Sequence, residues 1–200
     1  MTHFGGNTLF LSPRDTQLGR GEPIEDTAKV ISSMVDCVVI RTHDHEDVVK
    51  FSSKSSVPVI NGLTELVHPC QLLADVMTYV EINGDITGKI VTWIGDANNM
   101  CNSYINAAKI LNFHLKISTP YGFEPDKATL ALGKENVELC DLPGTAVEDC
   151  DLVTTDVWTS MGQEDESKKR LIAFEGFQIT KDLLDKSKKQ VKFMHDLPAH

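Results

Sequence analysis

The sequence predicts an α/β protein made of two parallel-sheet units with helices on both faces. Short runs rich in β-branched residues alternate along the chain with longer amphipathic segments, the order that places parallel strands beside crossover helices. Most of the short runs are apolar from end to end, as strands covered on both faces must be. A length of 200 residues suits one large domain or two small ones.

Taken in order, residues 8–11 (Thr-Leu-Phe-Leu) are the first candidate strand and 24–34 the first candidate helix. Residues 37–42 (Cys-Val-Val-Ile-Arg-Thr) are the next strand. His43-Asp44-His45-Glu46 follows at once. It has the residue types of a metal cluster but no further ligand at helical spacing, so it reads as the solvated opening of a helix. A strand over 57–60 leads to a helix over 69–81. Asn83-Gly84-Asp85-Ile86-Thr87-Gly88 is rich in turn formers and precedes a fresh strand, which places a domain boundary there, between 1–82 and 83–200. The second unit then reads strand 89–94, helix 99–111, strands 115–118, 137–140 and 152–156, helix 166–174 and strand 191–194. Lys186-Ser187-Lys188-Lys189 is a solvated charge run.

Composition narrows the partners. The chain is 41% hydrophobic and 24% charged with a formal net charge of -10, which argues against an electrostatic grip on nucleic acid or an anionic membrane and leaves small molecules or other proteins. No apolar run approaches the roughly 20 residues that cross a bilayer. The opening Met-Thr-His-Phe-Gly-Gly-Asn lacks the charged-then-apolar pattern of a signal peptide, so the cytoplasm is the expected location. Five scattered cysteines, Cys37, Cys70, Cys101, Cys140 and Cys150, form no C-x-x-C pair. They read as reduced, mostly buried thiols rather than a disulfide framework or a zinc site, and no metal is expected.

Ligands of open α/β sheets bind beyond the carboxyl ends of strands, and five polar clusters lie there: Arg41; His68-Pro69-Cys70-Gln71; Gly95-Asp96-Ala97-Asn98-Asn99-Met100; Asp156-Val157-Trp158-Thr159-Ser160-Met161-Gly162; and His195-Asp196-Leu197-Pro198. Each has a plainer reading. Arg41 alone would be a surface ion pair, and His68 before Pro69 would be a helix cap. The Gly95 cluster is a turn with an N-cap. It lacks the G-x-G-x-x-G of a dinucleotide site, so no nicotinamide cofactor, nor any other, is expected. The Asp156 cluster resists such a reading, because an acidic strand end followed by Trp and a small Ser-Met-Gly suits a mobile substrate loop.

Together the five clusters resemble the aspartate/ornithine transcarbamoylases in kind, order and approximate spacing, over essentially 9–200. Asp15-Thr16-Gln17-Leu18-Gly19-Arg20-Gly21-Glu22 is similar to the family loop whose glutamine reaches a neighbouring subunit. His68-Pro69-Cys70-Gln71-Leu72-Leu73-Ala74-Asp75 resembles the H-P-x-Q-x-L-x-D helix that contacts carbamoyl phosphate. Asp156-Val157-Trp158 with Ser160-Met161-Gly162 resembles the D-V-W-x-S-M-G loop of the ornithine enzymes. His195-Asp196-Leu197-Pro198 is similar to their H-C-L-P.

The resemblance implies transfer of a carbamoyl group from carbamoyl phosphate to the δ-amine of L-ornithine in arginine biosynthesis, giving citrulline and phosphate. Arg41, His68 and Gln71 would bind and polarise the donor. Asn98 or Asn99, with the family match favouring Asn99, would hold the ornithine carboxylate, Asp156 the α-ammonium, and Ser160 and Met161 would close over the side chain. Asp196 and Leu197 would stand at the H-C-L-P corner. Gln17 implies a homo-oligomer, a trimer in the family.

Two departures count against turnover by these 200 residues alone. The family binds phosphate through an S-T-R-T-R element at a helix N-terminus, which this sequence does not contain. By the resemblance the first unit is incomplete and a carboxyl-terminal portion is missing. Asp196 also replaces the family's active-site cysteine. A carboxylate near phosphate costs on the order of one kcal/mol at an effective dielectric near 20, and it favours the non-nucleophilic δ-ammonium. The competing view makes Asp196 a base for that amine. A non-catalytic amino-acid-binding relative and a structural fragment are the alternative readings.

Overall fold

Among the described residues, two all-parallel sheets, one of two strands and one of five, carry the fold. The computed structural model describes residues 1–12, 21–159 and 167–199 and divides into two compact units, Met1–Thr64 and Glu65–His200.

The first unit runs α1 (Ile24–Ser32), β1 (Val38–Arg41), α2 (His45–Lys54) and β2 (Val59–Leu63). Helix α1 stops short of its expected end, where Ser33 Oγ donates to the Val30 carbonyl at 2.7 Å and offers the backbone an alternative to another helical turn. Helix α2 starts where His43-Asp44-His45-Glu46 stands. Asp44 caps it by accepting from the Glu46 amide at 2.9 Å, and His45 Nδ1 lies 3.1 Å from Thr64 Oγ1, so the apparent metal cluster is helix-start chemistry. Strands β1 and β2 pair with Val38 opposite Val59 and Val39 opposite Ile60.

The strand expected over 8–11 does not form. Among the described residues no strand pairs with that segment, and Leu9 and Phe10 are 81% and 92% exposed. Apolar character favours a strand only where a ladder receives it.

The second unit contains α3 (Pro69–Asn83), β3 (Ile90–Ile94), α4 (Asn99–Leu111), β4 (His114–Ser118), α5 (Lys127–Gly133), β5 (Val137–Leu139), α6 (Pro143–Ala146), β6 (Leu152–Thr155), α7 (Ser167–Ala173), α8 (Lys181–Leu184) and β7 (Lys192–His195). Strand order is β5-β4-β3-β6-β7. Alternate residues of β3 serve two separate cores: Val91 and Trp93 pack with Leu72 and Tyr79 of α3 and with Met100, Tyr104 and Ile105 of α4. Ile94 packs with Val147, Cys150 and Val153, flanked by Phe177, Leu183 and Leu184. Both faces of this sheet are therefore covered, which explains the nearly continuous apolar run of its central strand β3.

The chain winds outward from β3 to β5, then returns to the other side of β3 to build β6 and β7. The switch point between β3 and β6 is where crossovers diverge to opposite sides and leave a crevice at the carboxyl ends. Helix α3, expected as the interdomain helix that ends 1–82, lies in the second compact unit.

Candidate functional site

Four polar segments of the second unit supply side chains around that switch point. Asn98 ends the turn after β3. Its Oδ1 caps α4 by accepting from the Met100 and Cys101 amides at 3.0 and 3.2 Å, while its Nδ2 donates to Asp156 Oδ2 at 2.7 Å. Asp156 follows the last residue of β6, and its Oδ1 accepts from the Val157 amide at 2.6 Å. A single asparagine thus links a helix start to the neighbouring strand end.

Strands β6 and β7 pair in register with Thr155 opposite His195, and the Asp196 amide donates to the Thr155 carbonyl at 3.0 Å. Asp156 and Asp196 are therefore the next residues of adjacent parallel strands, whose backbones run about 4.8 Å apart. Burial pushes the Asp156 carboxyl above the usual carboxylate range. The Val157 amide opposes that rise, and the charge of Asp196 adds to it. Two carboxylates in such proximity favour an ammonium group over a neutral amine.

Helix α3 brings the second set. His68 is its N-cap residue and Pro69 its first residue, the position where a missing N–H costs nothing. The His68 amide donates to Ser103 Oγ at 2.7 Å, and Ser103 Oγ donates to the Asn99 carbonyl at 2.6 Å, which anchors the start of α3 on α4. One turn on, Gln71 Nε2 donates to Asp75 Oδ1 at 2.9 Å, and the buried Tyr104 hydroxyl donates to Asp75 Oδ2 at 2.9 Å. Burial raises the Asp75 carboxyl, those two hydrogen bonds lower it, and Asp196 raises it further. The influence of Asp196 on both Asp75 and Asp156 places α3, β6 and β7 around one electrostatic environment.

The second unit thus brings together His68, Gln71, Asn98, Asn99, Asp156 and Asp196. Leu197 lies just past them, 78% exposed, with a cis peptide to Pro198. Arg41 is exposed at the end of β1 in the other unit. Gln17, Ser160 and Met161 lie outside the described residues. Sequence reasoning gave no role to Asp75, Tyr104 or Arg170. Asp75 had a signal, since it stands one helical turn after Gln71 and closes the H-P-x-Q-x-L-x-D run. Tyr104 reads as one more large residue on an apolar helix face, and Arg170 as one more charge after Lys168 and Lys169. Among the described residues no His, Cys, Asp and Glu group has the geometry to hold a metal ion.

Residues 87–200 match the aspartate/ornithine carbamoyltransferase Asp/Orn binding domain, and residues 1–81 match the carbamoyl-P binding domain of the same family. The ornithine carbamoyltransferase of Chromohalobacter salexigens is 56% identical over 200 residues, all of this chain and 66% of that protein. That of Acinetobacter baumannii is 58% identical over all of this chain and 65% of its own length. Among solved structures, ornithine carbamoyltransferase from Pyrococcus furiosus superposes with a TM-score of 0.93 at 44% identity, covering 100% of this chain and 66% of that one. The enzyme from Burkholderia thailandensis gives 0.88 at 46%, covering 100% and 65%. The chain spans about two-thirds of the length of these relatives. With both family domains matched along the sequence, the chain belongs to the aspartate/ornithine carbamoyltransferase family.

Proposed function

We propose that this site takes part in carbamoyl transfer from carbamoyl phosphate to the δ-amine of L-ornithine, yielding L-citrulline and phosphate for arginine biosynthesis. The observation that carries the reading is the Asp156 carboxylate, fixed by Asn98 and the Val157 amide at the sheet's switch point and paired in register with the His195-Asp196 strand end. In the transfer, the amine nitrogen's lone pair forms a C–N bond to the carbamoyl carbon. The C–O bond to phosphate breaks, phosphate leaves with that electron pair, and the amine's proton passes to the departing phosphate. Asp156 receives the α-ammonium, with Asn98 and Asn99 beside it for the α-carboxylate and Ser160, Met161 and Leu197 around the side chain. Arg41, His68 and Gln71 serve the donor, and Asp75 orients the Gln71 amide through its hydrogen bond. Catalysis then rests on positioning and electrostatics.

Ligand labour divides in this proposal at the 83–88 turn, with 1–82 for carbamoyl phosphate and 83–200 for ornithine, in keeping with family matches that end at 81 and resume at 87. Five cysteines without a disulfide suit a reducing compartment, and the cytoplasm is the proposed location. No helix among the described residues is long and apolar enough to cross a membrane. Gln17 fits a homo-oligomer, a trimer being the proposed state.

As 200 residues alone, the chain is expected to form no citrulline above the uncatalysed rate, because it contains no S-T-R-T-R run and because Asp196 holds the acceptor as an ammonium ion. A colorimetric citrulline assay checks this, and turnover that Arg41→Ala abolishes would show a complete donor site. Binding has a pH signature of its own. Asp156 must be ionised to hold an ammonium, and burial together with Asp196 keeps its carboxyl above the ordinary range near 3.9. L-ornithine affinity should therefore fall with decreasing pH, beginning above that range. Asp196→Asn removes one cause of the rise and should move the acid limb to lower pH. Titration calorimetry over a pH series reads this, and a limb that Asp196→Asn leaves in place would separate Asp196 from the acceptor site.

A further inference from the structure

We propose that Arg170 is a positioning residue for the acceptor end of the second sheet, tying the turn after β3 to the segment after β6 and so setting the Asn98–Asp156 contact. Arg170, on α7, is 4% exposed. Its Nη2 pairs with Asp96 Oδ2 in the turn after β3, and its Nε donates to the Trp158 carbonyl two residues beyond Asp156. The guanidinium plane lies 4.8 Å from the centroid of the Phe123 ring and 5.7 Å from that of Phe174, and the Trp158 ring stacks on Phe174 at 5.6 Å. Asp96 is held from a second side, since Trp93 Nε1 donates to its carbonyl at 2.9 Å.

The two segments are thus braced twice, directly through Asn98–Asp156 and indirectly through Asp96–Arg170–Trp158. The second brace is built from charge in a place where apolar groups would pack as stably. A buried ion pair adds little over a well-packed apolar replacement, but losing one partner strands the other. Without Arg170, Asp96 has a buried carboxyl that burial already pushes upward and that Arg170 pulls back down, and the Trp158 carbonyl loses a donor. The turn carrying Asp96 also carries Asn98, whose two polar atoms are already committed in different directions, so a small rotation there reorients the amide against Asp156. Lysine in place of Arg170 keeps one positive charge for Asp96 but has no planar fork to serve the Trp158 carbonyl at the same time.

The test compares the 200-residue chain with Arg170→Lys, Arg170→Ala and Asp96→Asn. Cooperative melts identify the folded variants, and asparagine-selective 15N labelling follows the Asn98 side-chain amide. With Trp93 and Trp158 the only tryptophans, the Trp93 indole N–H signal reports on Asp96. In Arg170→Lys and Asp96→Asn both signals should shift without ligand, and L-ornithine affinity should weaken about tenfold. If the folded variants keep the parental Asn98 signal and affinity while only the melting temperature drops, Arg170 is a packing residue and the proposal fails. The affinity arm rests on Asp156 as the acceptor contact. If the parent itself does not bind L-ornithine, that functional reading fails, and the Asn98 signal of the unliganded chain still decides whether Arg170 positions it.

Discussion

Replacing Asp156 by asparagine should abolish L-ornithine binding while leaving the fold intact. The variant is nearly isosteric, so little changes in packing, but two electrostatic effects act together. The negative charge that meets an ammonium is gone, and truncating one member of a desolvated charge pair costs about 2–5 kcal/mol. Geometry adds to this, because Oδ1 accepts from the Val157 amide and Oδ2 from Asn98 Nδ2. An amide at position 156 that keeps its oxygen toward Val157 turns its own NH2 toward Asn98, donor against donor. Asn98 Nδ2 then turns away from position 156, while its Oδ1 keeps the cap on α4.

Stability should move the other way or hardly at all. Asp156 has its folded-state pKa raised, so its contribution to stability is present at low pH and lost as pH rises through that value. At neutral pH the ionised side chain is a cost, and the neutral amide removes it. The expected result is a fall in affinity of at least about 30-fold, with a melting temperature at pH 7 close to the parent's. Calorimetry and a thermal melt read the two quantities separately. An Asp156→Asn protein that binds L-ornithine within about threefold of the parent, under 1 kcal/mol of difference, would remove Asp156 from the acceptor site.

The second unit was legible in the sequence for a physical reason. A strand covered on both faces needs an unbroken apolar run, and Val91, Trp93 and Ile94 serve two cores at once, so periodicity and burial give the same answer. The same rule explains the clearest failure. Residues 8–11 satisfy the composition of a strand, yet Phe10 is 92% exposed, because the hydrogen bonds that make a strand come from a partner that composition does not reveal. Helix α3 shows a related limit: it precedes the 83–88 turn in the chain, but which unit a helix packs with depends on its buried face, here Leu72 and Tyr79 in the core beneath β3.

The site divides in the same manner. Residues that end strands are readable, since Asn98 and Asp156 stand where the sheet opens to ligands. Residues that hold those groups in place are not, because they lie on other elements and act through long-range contacts. Asp75 is joined to Tyr104 across 29 positions and Arg170 to Asp96 across 74, separations that no local spacing rule reaches. A buried tyrosine looks like core until its hydroxyl finds a carboxylate.

That hydroxyl supports the other large effect. Tyr104→Phe should destabilise the protein by about 1–3 kcal/mol near neutral pH, the cost of leaving a buried acceptor without its donor, although it removes a single atom from a fully buried ring. Phenylalanine keeps the packing against Trp93, 5.8 Å away between ring centroids, so the loss falls on the hydroxyl, which donates to Asp75 Oδ2 and is also hydrogen-bonded with Thr154. The pH dependence fixes its sign. Burial already raises the Asp75 carboxyl, and the Tyr104 and Gln71 hydrogen bonds pull it down, so deleting one of them lets it rise further. A group raised on folding contributes stability at low pH that is lost as pH climbs through its folded value. The deficit of Tyr104→Phe should therefore be small where Asp75 is protonated and should grow with pH until Asp75 is fully ionised. Urea denaturation of parent and variant at several pH values measures it. In a double-mutant cycle Asp75→Asn should blunt the effect, because Tyr104 and Asp75 are direct partners and their losses do not add. A deficit that stays constant with pH, or shrinks as pH rises, would mean that the hydroxyl's contribution does not depend on an ionised Asp75 and that Asp75 orients Gln71 without it.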